Sequence, residues 1–219
     1  MGSPLLLDEE SGKENSVEHM NQLLGSQRGY IFDLDGTLVD SKLDFSLLRQ
    51  RLGWPADTLI LEHLATLPAA QQQQASQIIH QFELEGAQQA TLFDGVSEML
   101  AQLRALKLPT AILTRNNRVV TELTLAKFDL QFDLVLSRDD APAKPNPAGL
   151  WQIANHWQIA PSELLFIGDY LFDLQTADAA GMPSCLYLDG SNAHFAALAT
   201  HKIAHFNELS AACLRHHSD

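Results

Sequence analysis

The chain has 219 residues, enough for one domain with a modest insertion and for a core that needs no disulfide or structural metal. Hydrophobic residues make up 46% and charged residues 19%, the balance of a globular protein. The formal charge of -13 speaks against non-specific nucleic-acid binding, which needs a basic surface, and no run approaches the roughly 18 consecutive apolar residues of a membrane span.

Residues 1–19 are polar, acidic and without period, and no charged-then-apolar signal peptide opens them. They read as a disordered leader or a cloning remnant, with Met20 as the natural start. Tyr30-Ile31-Phe32 then runs straight into Asp33, a buried strand ending in a charge, followed by Leu34-Asp35-Gly36-Thr37. From Leu43 to Gln89 the pattern is helical and strand-free. Leu47, Leu48, Arg51 and Leu52 open it, and Leu59, Ile60, His63, Leu64 and Leu67 continue, while Gln71 to Gln74 reads as a solvated face. Val96, Met99, Leu100, Leu103 and Leu106 share one face of the next helix.

Thr110 to Leu113 is a second strand ending in Thr114, and Leu134 to Leu136 a third ending in Ser137. The loop Ala143-Lys144-Pro145 supplies a cation at a stiff position. Asn146 as cap and Pro147 as first helical residue start a helix striped by Leu150, Ile153, Ala154 and Trp157, with its tryptophans in the core. Leu164 to Ile167 ends in Gly168-Asp169, Cys185 to Leu188 makes a fifth run, and Lys202 to Phe206 a weaker sixth. His216-His217 sits in a polar tail, and the nine histidines show no ligand spacing. Cys185 and Cys213 form no CxxC, read as buried or incidental thiols, and fit a reducing cytoplasm.

Short apolar strands alternating with helices predict an α/β fold with a doubly wound parallel sheet. Residues 20–42 and 91–219 would form this core, and residues 43–90 a small helical cap inserted after the first strand. Ligands of such sheets sit at the carboxyl ends of the strands, so the cap would land on the site. The same edge gathers Asp33, Asp35, Thr114, Lys144, Asp169 and Asp173. Crowded carboxylates repel, and a divalent cation with oxygen ligands relieves them; few carboxylates with room for water suit Mg²⁺. A lysine, a hydroxyl and loop amides facing that metal make a seat for a phosphoryl group.

In this order the residues resemble the four motifs of the haloacid dehalogenase superfamily: Asp33-x-Asp35-x-Thr37, then Thr114, then Lys144, then Gly168-Asp169-x-x-x-Asp173. The resemblance spans Tyr30 to about Leu188 and implies a role for each. Asp33 is the nucleophile and a metal ligand, and Asp35 the general acid and base, with its carbonyl as a second ligand. Thr114 and Lys144 hold phosphoryl oxygens, with Arg115 and Asn116 beside them. Asp169 ligates the metal and Asp173 stands behind it.

The insertion is similar to the family's first type of helical cap, as in phosphoglycolate phosphatase-like members, though short. Arg115 separates Thr114 from Asn116, where many members have asparagine next to the threonine, and Tyr170 replaces a small residue. The resemblance implies Mg²⁺-dependent hydrolysis of a small phosphorylated metabolite by a monomer or weak homodimer, with no nucleic acid and no membrane. A sugar-phosphate mutase shares every motif. Asp35 speaks against a dehalogenase, the lack of lysine from Leu43 to Leu106 against a phosphonate hydrolase, and the intact motifs against a non-enzymatic module. Arg49 and Arg51 hint at an anionic group beyond the phosphate.

Overall fold

The computed structural model describes residues 24–217, so the expected leader at 1–19 lies outside the described residues. In chain order the strands are β1 (Gly29–Phe32), β2 (Val39–Asp40), β3 (Thr91–Leu92), β4 (Thr110–Leu113), β5 (Leu134–Leu136), β6 (Leu164–Gly168), β7 (Ser184–Tyr187) and β8 (His201–Ile203). The helices are α1 (Phe45–Leu52), α2 (Ile60–Thr66), α3 (Ala69–Gln89), α4 (Val96–Ala105), α5 (Arg118–Lys127), α6 (Ala148–Trp157), α7 (Leu171–Ala180) and α8 (Phe206–His217). Six parallel strands make one sheet in the order β5-β4-β1-β6-β7-β8, the predicted doubly wound α/β core.

Alternation along the strands divides the core into two layers, as a sheet buried on both faces requires. Tyr30, Phe32, Leu165 and Ile167 face one way, onto Met99 and Leu103 of α4 and Phe206 and Leu209 of α8. Ile31, Leu164 and Phe166 face the other, onto Leu150 and Ile153 of α6 and Ala177 of α7. On β1, Phe32 lies opposite Ile112 of β4 and Ile167 of β6, so the polar residues that follow these strands emerge at one edge.

Helices α1 to α3 lie between β2 and β3 and carry a hydrophobic cluster of their own, with Leu48, Ile79 and Phe82 at its centre. The Asp44 carboxylate starts α1 by accepting from the Ser46 and Leu47 amides at 2.9 and 3.1 Å. Where the insertion leaves and rejoins the core, β2 and β3 pair as an antiparallel ribbon, Val39 opposite Leu92 and Asp40 opposite Thr91. Two residues per strand give no period, so this ribbon is absent from the sequence reading. At the end of α3, Lys127 Nζ donates to the Ala87, Gln88 and Ala90 carbonyls at 3.3, 2.7 and 2.7 Å, satisfying groups the helix end leaves open.

Several local expectations change. Helix α6 begins at Ala148, one residue late, because Asn146 Oδ1 accepts from the Ala148 amide at 3.0 Å in a turn ahead of the helix. Trp157 packs against the core, but Trp151 is 46% exposed, with its indole N–H donating to the Ala180 carbonyl at 3.3 Å. The last strand is His201–Ile203, and Phe206 already belongs to α8, whose final turn contains His216 and His217. Both cysteines are free and buried, and Cys213 Sγ donates to Tyr30 Oη at 3.1 Å. Among the described residues no helix is long and apolar enough to cross a membrane.

Candidate active site

The eight residues singled out from the sequence, Asp33, Asp35, Thr114, Arg115, Asn116, Lys144, Asp169 and Asp173, all line one cavity at the carboxyl edge of the sheet. Asp33 leaves β1 with its amide donating to the Ile167 carbonyl at 2.8 Å, which ties it to the neighbouring strand. Gly36 turns the chain back at φ 81°; a β-carbon there would sit 2.5 Å from an Asp169 carboxylate oxygen. At Gly168 the same addition would lie 2.4 Å from the Asp173 β-carbon. The two glycines are the space into which the fourth-motif carboxylates fit.

Lys144, 2% exposed, bridges two of the carboxylates: its Nζ is 2.7 Å from Asp33 Oδ1 and 2.6 Å from Asp173 Oδ1. Asp173 also accepts from the Tyr170 amide at 3.0 Å, at the start of α7. Asp169 accepts from the Thr37 hydroxyl at 3.0 Å, and its carbonyl accepts from Asn192 Nδ2 at 2.8 Å. One carboxylate oxygen from each of Asp33, Asp169 and Asp173 lies within 4.8 Å of the others, a cluster able to hold a metal ion.

The electrostatics follow from burial and crowding. Burial pushes Asp33 up to about 7; Lys144 opposes the rise and Asp173 adds to it. Asp169 is pushed up to about 8 by burial and by the charges of Asp173 and Asp33. Burial alone would lower Lys144, but Asp173 and Asp33 overturn that and raise it, so the lysine stays charged. Three carboxylates facing one lysine leave excess negative charge in a buried place.

Asp35, two residues from Asp33, has a different environment. Its carboxylate accepts from Asn116 Nδ2 and stands outside the three-carboxylate cluster. Burial raises its carboxyl, against hydrogen bonds from Ser41 and Asn116. One short motif thus holds one aspartate on a lysine and another on neutral donors. Thr114 is buried beside them, its Oγ1 accepting from the Asn116 amide at 3.2 Å.

The insertion closes the opposite wall. Arg115 donates through Nη1 to the Lys144 carbonyl and through Nη2 to both Glu62 carboxylate oxygens at 2.9 and 3.1 Å, and stands 4.6 Å over the Phe172 ring. Glu83 of α3 accepts from Arg138 at 2.6 and 3.0 Å and from Asn117 Nδ2 at 2.9 Å. Arg49 lines the cavity, with its Nε donating to the Thr58 carbonyl at 2.9 Å. Arg51 does not line it: it pairs with Glu85 at 2.8 Å and covers the Phe82 ring, which removes it from the pair expected to read the substrate.

Sequence reasoning missed Glu62, Glu83, Arg138 and Asn192. The first three acquire meaning only when the insertion folds back on the core. Asn192 had a usable signal: it closes the Asp189-Gly190-Ser191 turn just past β7, at the edge where the other strands deliver polar groups.

Comparison with known proteins gives a consistent family. Residues 30–187 match the model of the haloacid dehalogenase-like hydrolases. The chain is 30% identical over 171 residues to a haloacid dehalogenase-like hydrolase domain-containing protein of Arabidopsis thaliana, covering 73% of this chain and 70% of that one. It is 32% identical over 217 residues to a phosphoglycolate phosphatase of Yersinia pseudotuberculosis, covering 83% and 91%. In fold it resembles a hydrolase from Pseudomonas syringae, with a TM-score of 0.71 at 20% identity over 83% of this chain and 95% of that one. A HAD family hydrolase from Deinococcus radiodurans R1, with bound phosphate and sodium, gives 0.65 at 21% identity over 88% and 97%. The chain belongs to the haloacid dehalogenase-like hydrolase family.

Proposed function

We propose that this protein is a Mg²⁺-dependent phosphatase that hydrolyses small phosphate monoesters through an aspartyl-phosphate on Asp33. The observation that carries the reading is the division of labour in the first motif: Asp33 lies on Lys144 within the three-carboxylate cluster, and Asp35 lies apart on Asn116. The curated phosphoglycolate phosphatases to which the chain is similar support a phosphatase. The donor set fits Mg²⁺, because the carboxylates outnumber the lysine, only oxygen is offered, and few ligands leave room for water. Asp33 and Asp169 would hold the ion with the Asp35 carbonyl, and Asp173, whose second oxygen accepts from the Tyr170 amide, would stand behind them. When bound, the ion supplies positive charge to the phosphoryl oxygens and to the crowded carboxylates.

The protein's own groups account for the proton and bond changes. Asp33 attacks phosphorus as the bond to the leaving oxygen breaks, and Asp35, protonated at the outset, gives that oxygen its proton. The Asp35 carboxylate then takes a proton from water as the water oxygen attacks the phosphorus of the aspartyl-phosphate. Inorganic phosphate leaves and Asp33 is restored. Lys144 and Thr114 position the phosphoryl oxygens, and positioning with charge stabilisation is most of what phosphoryl transfer requires. A reducing cytoplasm suits the two free, buried thiols.

The test is phosphate release from an aryl monoester, with Mg²⁺ and with excess chelator, by the native protein and by Asp33→Asn. Activity should need the metal and vanish in the variant. Full activity in chelator overturns the metal assignment, and normal turnover by Asp33→Asn overturns the nucleophile.

A further inference from the structure

The cavity that contains the phosphate seat has a volume of about 410 Å³, the size of a small-molecule site, and its walls differ from its floor. The floor holds the aspartates, Thr114, Asn116 and Lys144. Away from it the walls are Leu43, Phe45, Leu48, Leu59, Ile79 and Phe172. Phe45, Leu59 and Tyr170 line this space yet remain 49%, 49% and 50% exposed. Large apolar groups left half in water beside a reacting centre are surface that a bound molecule can cover.

The charges point the same way. Lys144 is committed to Asp33 and Asp173, and Arg115 to Glu62, the Lys144 carbonyl and the Phe172 ring. Glu62 and Glu83 both line the cavity, so a second acidic group on a substrate would approach two carboxylates whose arginines are already bound. A buried anion needs a cation of its own, and Glu62 and Glu83 already hold Arg115 and Arg138, whereas burying methylene groups against these walls is favourable. Among the described residues Arg49 is the one cation of the lining that no carboxylate holds; its Nε donates to the Thr58 carbonyl, and it is a single group against six apolar side chains.

We propose that the leaving group this site selects is neutral and apolar: the preferred substrate is the phosphate monoester of an alkyl or aromatic alcohol, and a phosphorylated carboxylic acid is disfavoured. This rests on the phosphatase reading of the same site and adds what lies on the far side of the scissile bond. Bond making and breaking are those already given, with the alkoxide leaving as the alcohol after protonation by Asp35.

The experiment measures kcat/KM with Mg²⁺ for straight-chain alkyl phosphates from methyl to hexyl, and for phosphoglycolate. Each added methylene should raise kcat/KM about three- to fourfold until the cavity is filled. Hexyl phosphate should exceed phosphoglycolate by at least about tenfold on the same burial scale. Leu59→Asn, at a half-exposed position of the wall, should reduce the hexyl-to-methyl ratio. A flat series overturns the proposal. So does any preference for phosphoglycolate over hexyl phosphate, and its loss in Arg49→Ala would assign that preference to this guanidinium. Binding of hexylphosphonate and methylphosphonate, read by calorimetry, separates the two claims. Tighter binding of the longer chain without turnover of any monoester supports the apolar subsite and overturns the phosphatase reading, while equal binding overturns the subsite.

Discussion

Replacing Arg138 with methionine should destabilise the protein in a way that depends on pH. Glu83 is 8% exposed and accepts two bonds from the Arg138 guanidinium, at 2.6 and 3.0 Å, with a third from Asn117. Removing one partner of a buried ion pair costs about 3–5 kcal/mol when the remaining charge stays buried. Glu83 has an escape, because burial already raises its carboxyl and loss of Arg138 raises it further, so the variant can fold with Glu83 protonated. In addition to the lost Arg138 bond to the Arg115 carbonyl at 2.8 Å, the pH-dependent part is set by the cost of that proton. Relative to an unfolded glutamate near 4.3, at about 1.4 kcal/mol per pH unit, it is about 4 kcal/mol at pH 7 and about 1 kcal/mol at pH 5. A folded carboxyl raised above its unfolded value keeps its stabilisation below the unfolded value and loses it as pH rises through the folded one. Urea unfolding of both proteins at pH 5 and pH 7 measures this, and Glu83→Gln in the Arg138→Met background should remove most of the pH dependence. A loss of equal size at both pH values would refute the reasoning.

Asp35→Asn should lower turnover about 10²- to 10⁴-fold, the worth of general acid–base assistance. With an aryl phosphate it should leave a phosphoryl adduct on Asp33, detectable by mass analysis; normal turnover without the adduct would exclude the assigned role. Asn192→Ala removes the donor shared by the Asp169 and Tyr187 carbonyls, so half-saturation with Mg²⁺ should need about tenfold more metal. An unchanged midpoint would show that Asn192 does not position Asp169. In metal-free protein, Asp33 and Asp169 are pushed up to about 7 and about 8, far above their unfolded values. The folded state therefore binds more protons across that window, and stability falls as pH rises through it. The melting temperature in chelator should drop from pH 5 to pH 8, Mg²⁺ should reverse the drop at pH 8, and Asp169→Asn should flatten it. A melting temperature that rises over this range would contradict the charge crowding.

The parts of the molecule legible in the sequence are those in which neighbouring residues carry the signal. Tyr30-Ile31-Phe32-Asp33 and Leu164 to Asp169 show apolar strands ending in charge, and parallel pairing brings such ends to one edge. The cavity accordingly collects all eight residues picked out by motif. What escaped depends on partners distant in sequence. Arg51 and Arg49 look equivalent on paper, but Glu85, 34 residues away, takes Arg51 out of the cavity. Glu83 reads as one polar residue in a long helix, and only Arg138, 55 residues on, reveals it as a buried anion. Trp151 and Trp157 lie on one helix, and which of them is buried depends on its orientation against β4 and α7, which a stripe of apolar letters defines only loosely.

The insertion is attached with unequal stiffness. Along α3 the fastening is strong: Lys127 grips three carbonyls at the helix end, and Arg138 grips Glu83 further up. On the α2 side the tie is the Arg115–Glu62 pair, partly open to solvent, and such exposed pairs are worth about 0–1 kcal/mol. With the β2–β3 ribbon as a hinge line, the insertion is a lever clamped along one edge and free along the other. Fluctuations should concentrate at the free lip near Leu59, and backbone amides of α2 should exchange with solvent well before those of the second half of α3. The entrance for substrate then lies beside the weakly fastened Arg115–Glu62 pair.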